Sequence, residues 1–384
     1  MGQLASLVGT WMQTTAQGFL VYQLTSSPAF LGYVGFAGGV ATWLFTLYGG
    51  VISDRMSRRT LMIITQTAMM ILAFALAALT FARLIQPWHI LVLAFLLGVA
   101  NAFDAPARQA FVLEMVPRED MTNAIALNST MFNSATAVGP AVAGLTYAAL
   151  GPAWCFTVNG FSFIAVIVAL ALMDIKPLPP RARATSALAE LAEGLGYIRS
   201  HPAIGTLIIV AAVASLFGMG YATLLPAWAV EVLHGGPDTN GFLQSARGIG
   251  SLIGALMIAS LGRFNFKGKM LTLGSVVFPA LLLAFAAVSW LPTALLVLVG
   301  VGWGFMVMLN MANALVQTLV SDELRGRVMA VYSLGFLGMM PVGALLAGGI
   351  AEIASEQIAV ALGALITLAF AVWLCLKAQV RALE

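Results

Sequence analysis

An all-α membrane protein of twelve transmembrane helices, built as two pseudo-symmetric six-helix bundles, is the fold the sequence predicts. Three observations predict it. Of 384 residues, 61% are hydrophobic and 9% charged, where a soluble domain carries roughly 25% charge. Charge-free apolar runs of membrane-spanning length alternate with short charged segments. The two halves of the chain also match without gaps at a shift of 204 residues, the distance from Gln109 to Asn313. Gln109-Ala110-Phe111-Val112 falls on Asn313-Ala314-Leu315-Val316, Glu119 on Glu323, Val138-Gly139 on Val342-Gly343, and Ala143-Gly144 on Ala347-Gly348. Agreement across a helix, a loop and a second helix implies a duplicated unit.

The spans are read in order as helix 1 over 4–22, helix 2 over 30–52, helix 3 over 60–82, helix 4 over 88–112, helix 5 over 123–149 and helix 6 over 153–173. Pro177, Pro179 and Pro180 then stop the chain as a helix. Residues 186–200 form an amphipathic stretch, with Leu188, Leu191, Leu195 and Ile198 on one face and Glu190, Glu193 and Arg199 elsewhere. It is expected to lie along the inner membrane surface. Helices 7 to 12 follow over 203–230, 241–261, 270–290, 293–320, 328–350 and 358–376. The domains are therefore an N-terminal bundle over 1–174, a cytoplasmic linker over 175–202, and a C-terminal bundle with a short tail over 203–384.

Lys and Arg set the orientation. With both termini cytoplasmic, inner segments hold all the basic residues except Arg83, Arg108 and Arg247, and only Arg83 falls in an outer loop. Net charge +3 follows from this bias and does not point to a nucleic-acid partner. Cys155 and Cys375 fall towards opposite faces, so no disulfide is expected. His89, His201 and His234 sit near helix ends, which argues against a buried histidine proton relay. Met1-Gly2-Gln3 offers no basic stretch ahead of the first apolar run, so no cleavable signal peptide is expected.

Gly49-Gly50-Val51-Ile52-Ser53-Asp54-Arg55-Met56-Ser57-Arg58-Arg59 separates helices 2 and 3 as a short charged loop. Gly49 and Gly50 allow a neighbouring backbone to come close. Asp54 suits the positive N-terminus of another helix. Arg55, Arg58 and Arg59 hold the loop to the cytoplasmic face. This segment resembles the loop between helices 2 and 3 of the major facilitator superfamily, of the form G-x-L-x-D-R-x-G-R-[KR], with Ile52 at the Leu and Ser57 at the second Gly. The resemblance implies that Gly50, Asp54 and the three arginines form a conformational gate docking on the start of helix 11. It also implies that the glycine-rich helices 2, 5, 8 and 11 form the contact between halves. Gly139-Pro140-Ala141-Val142-Ala143-Gly144 is similar to an antiporter motif of that superfamily, with one residue extra; Gly139, Pro140 and Gly144 are read as hinge and packing positions. Gly9-Thr10-Trp11-Met12-Gln13 with Gln17, Asp104 to Phe111, and Asn123 to Asn128 resemble the exporter branch that includes enterobactin-exporter and macrolide-efflux proteins. Relatives of that branch carry a basic and aromatic segment before Gly2-Gln3, so the first turn of helix 1 is expected to be poorly anchored.

Charge inside a span is costly and reads as functional. Asp104 and Arg108 are four apart on helix 4 and share a face, with Pro106 as a hinge between them. Asp104 lies about 24 Å from the outer end at 1.5 Å per residue. Two readings stand: a proton-coupling pair or a permanent structural clamp. Glu114, a turn or more further in, suits a gate latch to Arg58 or Arg59. Arg247 in helix 8 lies about 10 Å below the outer surface; it suits an anionic part of a substrate, a pairing across the cavity, or snorkelling outward. Gln13, Gln17, Asn101, Asn310, Asn313 and Trp303 are the sparse polar and aromatic points a mixed-substrate cavity needs, and equally the polar contacts of helix packing.

No phosphate-binding G-x-x-x-x-G-K-[ST], nucleophile elbow or metal-ligand spacing occurs in the sequence. The expectation is a secondary transporter, not an enzyme, with no cofactor and a proton gradient as energy source. It is read as a monomer in a bacterial-type inner membrane, exporting a small amphiphilic compound such as a drug or siderophore by antiport. A symporter or flippase for a nutrient or lysolipid, and a non-transporting sensor or assembly subunit, are the alternatives.

Overall fold

The computed structural model describes residues 2–173, 187–261 and 266–376. The linker over 174–186, the tail from 377 and the side chains of Asp54, Glu114 and Arg118 lie outside the described residues. The helices are α1 (Gly2–Thr25), α2 (Pro28–Arg55), α3 (Arg58–Phe81), α4 (Pro87–Met115), α5 (Met121–Leu150), α6 (Pro152–Leu172), α7 (Ala187–Ser200), α8 (Pro202–Val213), α9 (Gly220–Ala227), α10 (Pro237–Ser260), α11 (Lys267–Ala286), α12 (Leu291–Leu319), α13 (Arg325–Ile353) and α14 (Glu356–Leu376). Two π-helical turns, Ala214–Gly218 and Trp228–Val232, join and extend α8 and α9 into the single run expected as helix 7. Five helices begin on a proline, where the missing N–H costs nothing. Gly151, at φ 91°, makes the sharp turn from α5 to α6.

Among the described residues, ten helices are long and apolar enough to cross a membrane. α1 and α5 are as long, at 24 and 30 residues, but spend side chains on polar packing. Gln13 on α1 accepts from Asn159 Nδ2 of α6 at 2.7 Å, and Gln3 donates to Asn128 of α5 at 3.1 Å. The second bond gives the first turn of α1 a polar anchor.

The charged loop is shorter than expected. Asp54 and Arg55 belong to the last turn of α2, and Arg58 and Arg59 to the first turn of α3, so only Met56 and Ser57 lie outside a helix. Arg58 donates to the Ala110 carbonyl at 3.3 Å and Arg59 to the Ala171 carbonyl at 2.7 Å. Both guanidiniums thus sit near the negative ends of α4 and α6. α7 follows the expected amphipathic stretch and docks on the start of α13. Glu193 pairs with Arg327, and a Cβ on Gly194 would lie 2.9 Å from the Arg327 carbonyl oxygen. Cys155 and Cys375 are not joined in a disulfide.

The chain divides into two compact units. One holds α1, α2 from Val34, α3 to α6, and Gly235–Ser245 at the start of α10. The other holds Ser27–Tyr33 at the start of α2, α7 to α9, α10 from Ala246, and α11 to α14. Their internal packing is the same. In the first, α3 packs on α4 and α6, and α1 on α5 and α6. In the second, α11 packs on α12 and α14, and the α8–α9 run on α13 and α14. The equivalence reaches single atoms. In the first unit a Cβ on Gly241 would meet the Pro140 carbonyl at 2.5 Å, and one on Gly144 the Pro237 carbonyl at 2.7 Å. In the second unit a Cβ on Gly32 would meet the Ala344 carbonyl at 2.8 Å, and one on Gly348 the Pro28 carbonyl at 2.7 Å. Pro140 and Gly144 correspond to Ala344 and Gly348 at the shift of 204 residues found in the sequence.

Glycine contacts do not all join the two halves of the sequence, as the resemblance implied. Gly38 lies against Ala94 of α4, Gly139 against Trp11 and Val8 of α1, and Gly343 against Leu216 of the π turn. These are close approaches within a half, needed wherever backbones pack without a hydrophobic driving force. Gly49 shows the cause most clearly. Pro106 has no N–H, so the Ala102 carbonyl loses its partner within α4; that oxygen points at Gly49, where a Cβ would collide with it. Gly50 faces open space, so the close approach expected of both belongs to Gly49 alone. Gly49→Ala is expected to destabilise the first unit by about 1–3 kcal/mol through overpacking, seen as a lower unfolding temperature of the detergent-solubilised protein. Gly50→Ala should leave that temperature unchanged.

Candidate functional site

The in-span acid sits at the seam between α3 and α4. Asp104 is fully buried. Its Oδ1 accepts from the Thr65 hydroxyl at 2.8 Å and from Gln66 Nε2 at 3.0 Å, both on α3. Its Oδ2 pairs with Arg108, whose side chain keeps 27% of its surface exposed. Around the seam Leu61 and Met62 of α3, Ala107 and Phe111 of α4 and Leu170 of α6 form an apolar cluster, with Ile52 of α2 and Val166 of α6 against it. A carboxylate in such surroundings is tenable only when its lone pairs are met, and here three donors meet them. Thr65 also lies 3.0 Å from the Met62 carbonyl, and Gln66 Oε1 is buried with no hydrogen-bond donor. Asp104 is therefore held by an ion pair on one oxygen and by reorientable neutral groups on the other.

Thr65 and Gln66 were not legible as site residues. The available signal was two adjacent polar side chains in an otherwise apolar span, which in lipid must find partners. Pro106 lies between Asp104 and Arg108 in α4 and sets the Ala102 carbonyl against α2.

The remaining sequence candidates separate by use. Gln13 is committed to Asn159, which Ser162 also bonds at 3.1 Å, so this part of α1 is fixed to α6. Gln17 is buried on the same helix. Asn101 donates to the Leu97 carbonyl of its own helix at 3.0 Å, and Asn313 accepts from Gln317 one turn on. Asn310 is half-buried on α12. Trp303 belongs to the packing of α12 on α10: a Cβ on Gly254 would meet its carbonyl at 3.2 Å and its indole at 3.5 Å. Arg247 lies half-buried on α10. Tyr221 packs edge-on to Phe285, which stacks on Trp228 with centroids 4.4 Å apart. The Trp228 indole N–H is buried without an acceptor. Tyr221, Phe285 and Trp228 thus form an aromatic cluster from α9, α11 and the π turn at Trp228. In the gate segment Arg55 is exposed, while the Asp54 and Glu114 side chains lie outside the described residues.

Comparison with known proteins gives this arrangement its family. The family described as transmembrane secretion effector matches residues 1–384. The chain is 28% identical to the multidrug efflux pump Tap of Mycolicibacterium fortuitum, over 91% of its own length and 88% of that protein. It is 25% identical to the staphyloferrin A transporter of Staphylococcus aureus, over 88% and 85% of the two chains. It is 23% identical to the enterobactin exporter EntS of Shigella boydii, over 91% and 83%. Among solved structures, the nucleoside transporter NupG superposes with a TM-score of 0.74 at 15% identity, covering 98% of this chain and 99% of that one. A bacterial homologue of the lysosomal transporter Spinster superposes with a TM-score of 0.70 at 14% identity, covering 97% and 94%; at such identities the likeness is one of fold. The chain belongs to the transmembrane secretion effector family of the major facilitator superfamily, and is an integral membrane transporter rather than an enzyme.

Proposed function

We propose that the chain exports a small amphiphilic compound, a drug or siderophore, from the cytoplasm in exchange for protons, working as a monomer by alternating access. The observation that carries this reading is the fully buried Asp104, held at Oδ1 by two neutral α3 donors and at Oδ2 by a partly exposed Arg108. A carboxylate needed only for packing would be cheaper as an apolar side chain, whereas a proton carrier has to be an acid with a water-reachable partner. Relatives described as a multidrug efflux pump and an enterobactin exporter support the direction and the substrate class. The distribution of Lys and Arg supports an orientation in the inner membrane with both termini cytoplasmic. The proton gradient replaces a bound cofactor as the source of energy.

One cycle then runs as follows. A proton from the outer side neutralises Asp104. The transporter turns inward, the proton leaves to the cytoplasm as substrate binds, and the loaded transporter turns outward again. Asp54, the arginines beside it and Glu114 would steady one of the two states. Arg247 with Tyr221 would meet an anionic part of the substrate, a charge-assisted contact in a dry site.

In liposomes with an internal pH-sensitive dye, substrate-driven proton flux is expected in the wild type and should fall at least tenfold in Asp104→Asn. Flux that survives this substitution would make Asp104 and Arg108 a fixed ion pair and sink the reading. Arg247→Gln should raise the apparent KM about tenfold for substrates bearing a carboxylate, about 1.4 kcal/mol, and leave uncharged substrates unchanged. An equal effect on both would remove Arg247 from substrate recognition.

A further inference from the structure

The hydroxyl of Thr65 has one hydrogen and two acceptors in reach. Asp104 Oδ1 lies at 2.8 Å and the Met62 carbonyl at 3.0 Å. When Asp104 is ionised, Thr65 can satisfy only one of them. When Asp104 carries a proton on Oδ1, both contacts are satisfied at once: the carboxyl donates to Thr65, and Thr65 donates to Met62. Gln66 shows the same economy. Its amide nitrogen donates to Oδ1 at 3.0 Å, while its own oxygen is buried without a donor. Arg108 occupies the other carboxyl oxygen and can keep it in either state, because the carbonyl oxygen of a neutral carboxyl still accepts a hydrogen bond.

We propose that Thr65 is the positioning residue for the transported proton: it directs the proton to Oδ1 of Asp104 and accepts the hydrogen bond of the neutral acid. Gln66 is its auxiliary. This rests on the proton-coupled reading above and names the residues that make Asp104 a carrier. In the step, a hydronium ion reaching the seam gives up its proton: its O–H bond breaks as the Oδ1–H bond forms, water leaves, and the Thr65 hydrogen turns from Oδ1 to the Met62 carbonyl. The carboxyl loses one negative charge. Among the described residues, the charged groups around it are few. Arg108 is on its own helix, and Arg58 and Arg59 in the first turn of α3 reach the Ala110 and Ala171 carbonyls. From the other elements packed there, Ile52 of α2 and Val166 and Leu170 of α6 are apolar. Reorientation of neutral groups is therefore how the described surroundings of Oδ1 register the proton.

The sign of one substitution separates this role from a structural one. Thr65→Val takes one of three donors from the ionised acid, but takes the acceptor from the neutral acid and leaves a buried O–H unpaired. The pH midpoint of substrate-driven proton flux in liposomes is expected to move about one unit lower, a tenfold weaker hold on the proton. Thr65→Ser should keep the wild-type midpoint. A midpoint that moves higher in Thr65→Val, as for a mere donor to a permanent anion, would overturn the proposal. So would a midpoint that stays, or a serine variant displaced as far as the valine. If Thr65→Val does not fold, Thr65→Ala, which removes the same hydroxyl, is read for the same sign. Wild-type protein that moves substrate without proton flux would instead refute the coupling reading beneath it.

Discussion

Keeping one carboxylate satisfied inside the membrane is the constraint on which the first unit is arranged. Asp104 is fully buried among apolar side chains of α3, α4 and α6. An isolated ion there would cost many kcal/mol, so α3 must present Thr65 and Gln66 at the height of Asp104, and α4 must carry Arg108 one turn further on. Pro106 stands within that turn. It frees the Ala102 carbonyl, and α2 accommodates the oxygen by having no side chain at Gly49. The polar seam and the glycine on the neighbouring helix are thus two results of one local sequence, Asp104-Ala105-Pro106-Ala107-Arg108. The proton-coupled reading proposed above rests on the same constraint, because groups that satisfy an ionised acid and can also turn to satisfy a neutral one would make the acid switchable.

A second constraint shapes both units alike. In lipid, helices gain little from burying apolar side chains and associate through close backbone contact. Gly144 with Gly241, and Gly348 with Gly32, provide that contact at equivalent positions of the two units, each against a carbonyl that a methyl group would strike. The duplicated sequence therefore encodes a duplicated contact, including the starts of α2 and α10, which group with the opposite sequence half. The second unit differs at its first long helix, which is interrupted by two π turns, and beside them Tyr221, Phe285 and Trp228 form an aromatic cluster. π turns are rare and gather at functional sites.

Much of this was legible in the sequence, for physical reasons. Apolar runs show spans because lipid tolerates little else, and all the long helices stand where those runs lie. Asp104 and Arg108 were legible as a pair because charge in a span is conspicuous and four residues make one helical turn. Thr65 and Gln66 were not, since neutral polar side chains are common in spans and only the placement of α3 against α4 shows what they bond. The glycines were legible as close contacts but not their partners: Gly38 and Gly49 face α4 within the same half. Gln13 and Asn313 read equally as cavity or packing residues, because a sequence cannot tell a polar group that waits for a ligand from one bonded to Asn159 or Gln317. The charged segment after Gly50 was read as a loop because charge and glycine usually end a helix; here the last turn of α2 simply continues through Arg55.

The central claim is that Asp104 changes protonation during transport, and infrared difference spectroscopy of the reconstituted protein tests it most directly. The account predicts a carboxylic-acid C=O band that appears on acidification without substrate, disappears when substrate is added at the same pH, and is missing in Asp104→Asn. A wild-type spectrum without that band, or a band that ignores substrate, would contradict it and leave Asp104 a permanent anion in an ion pair.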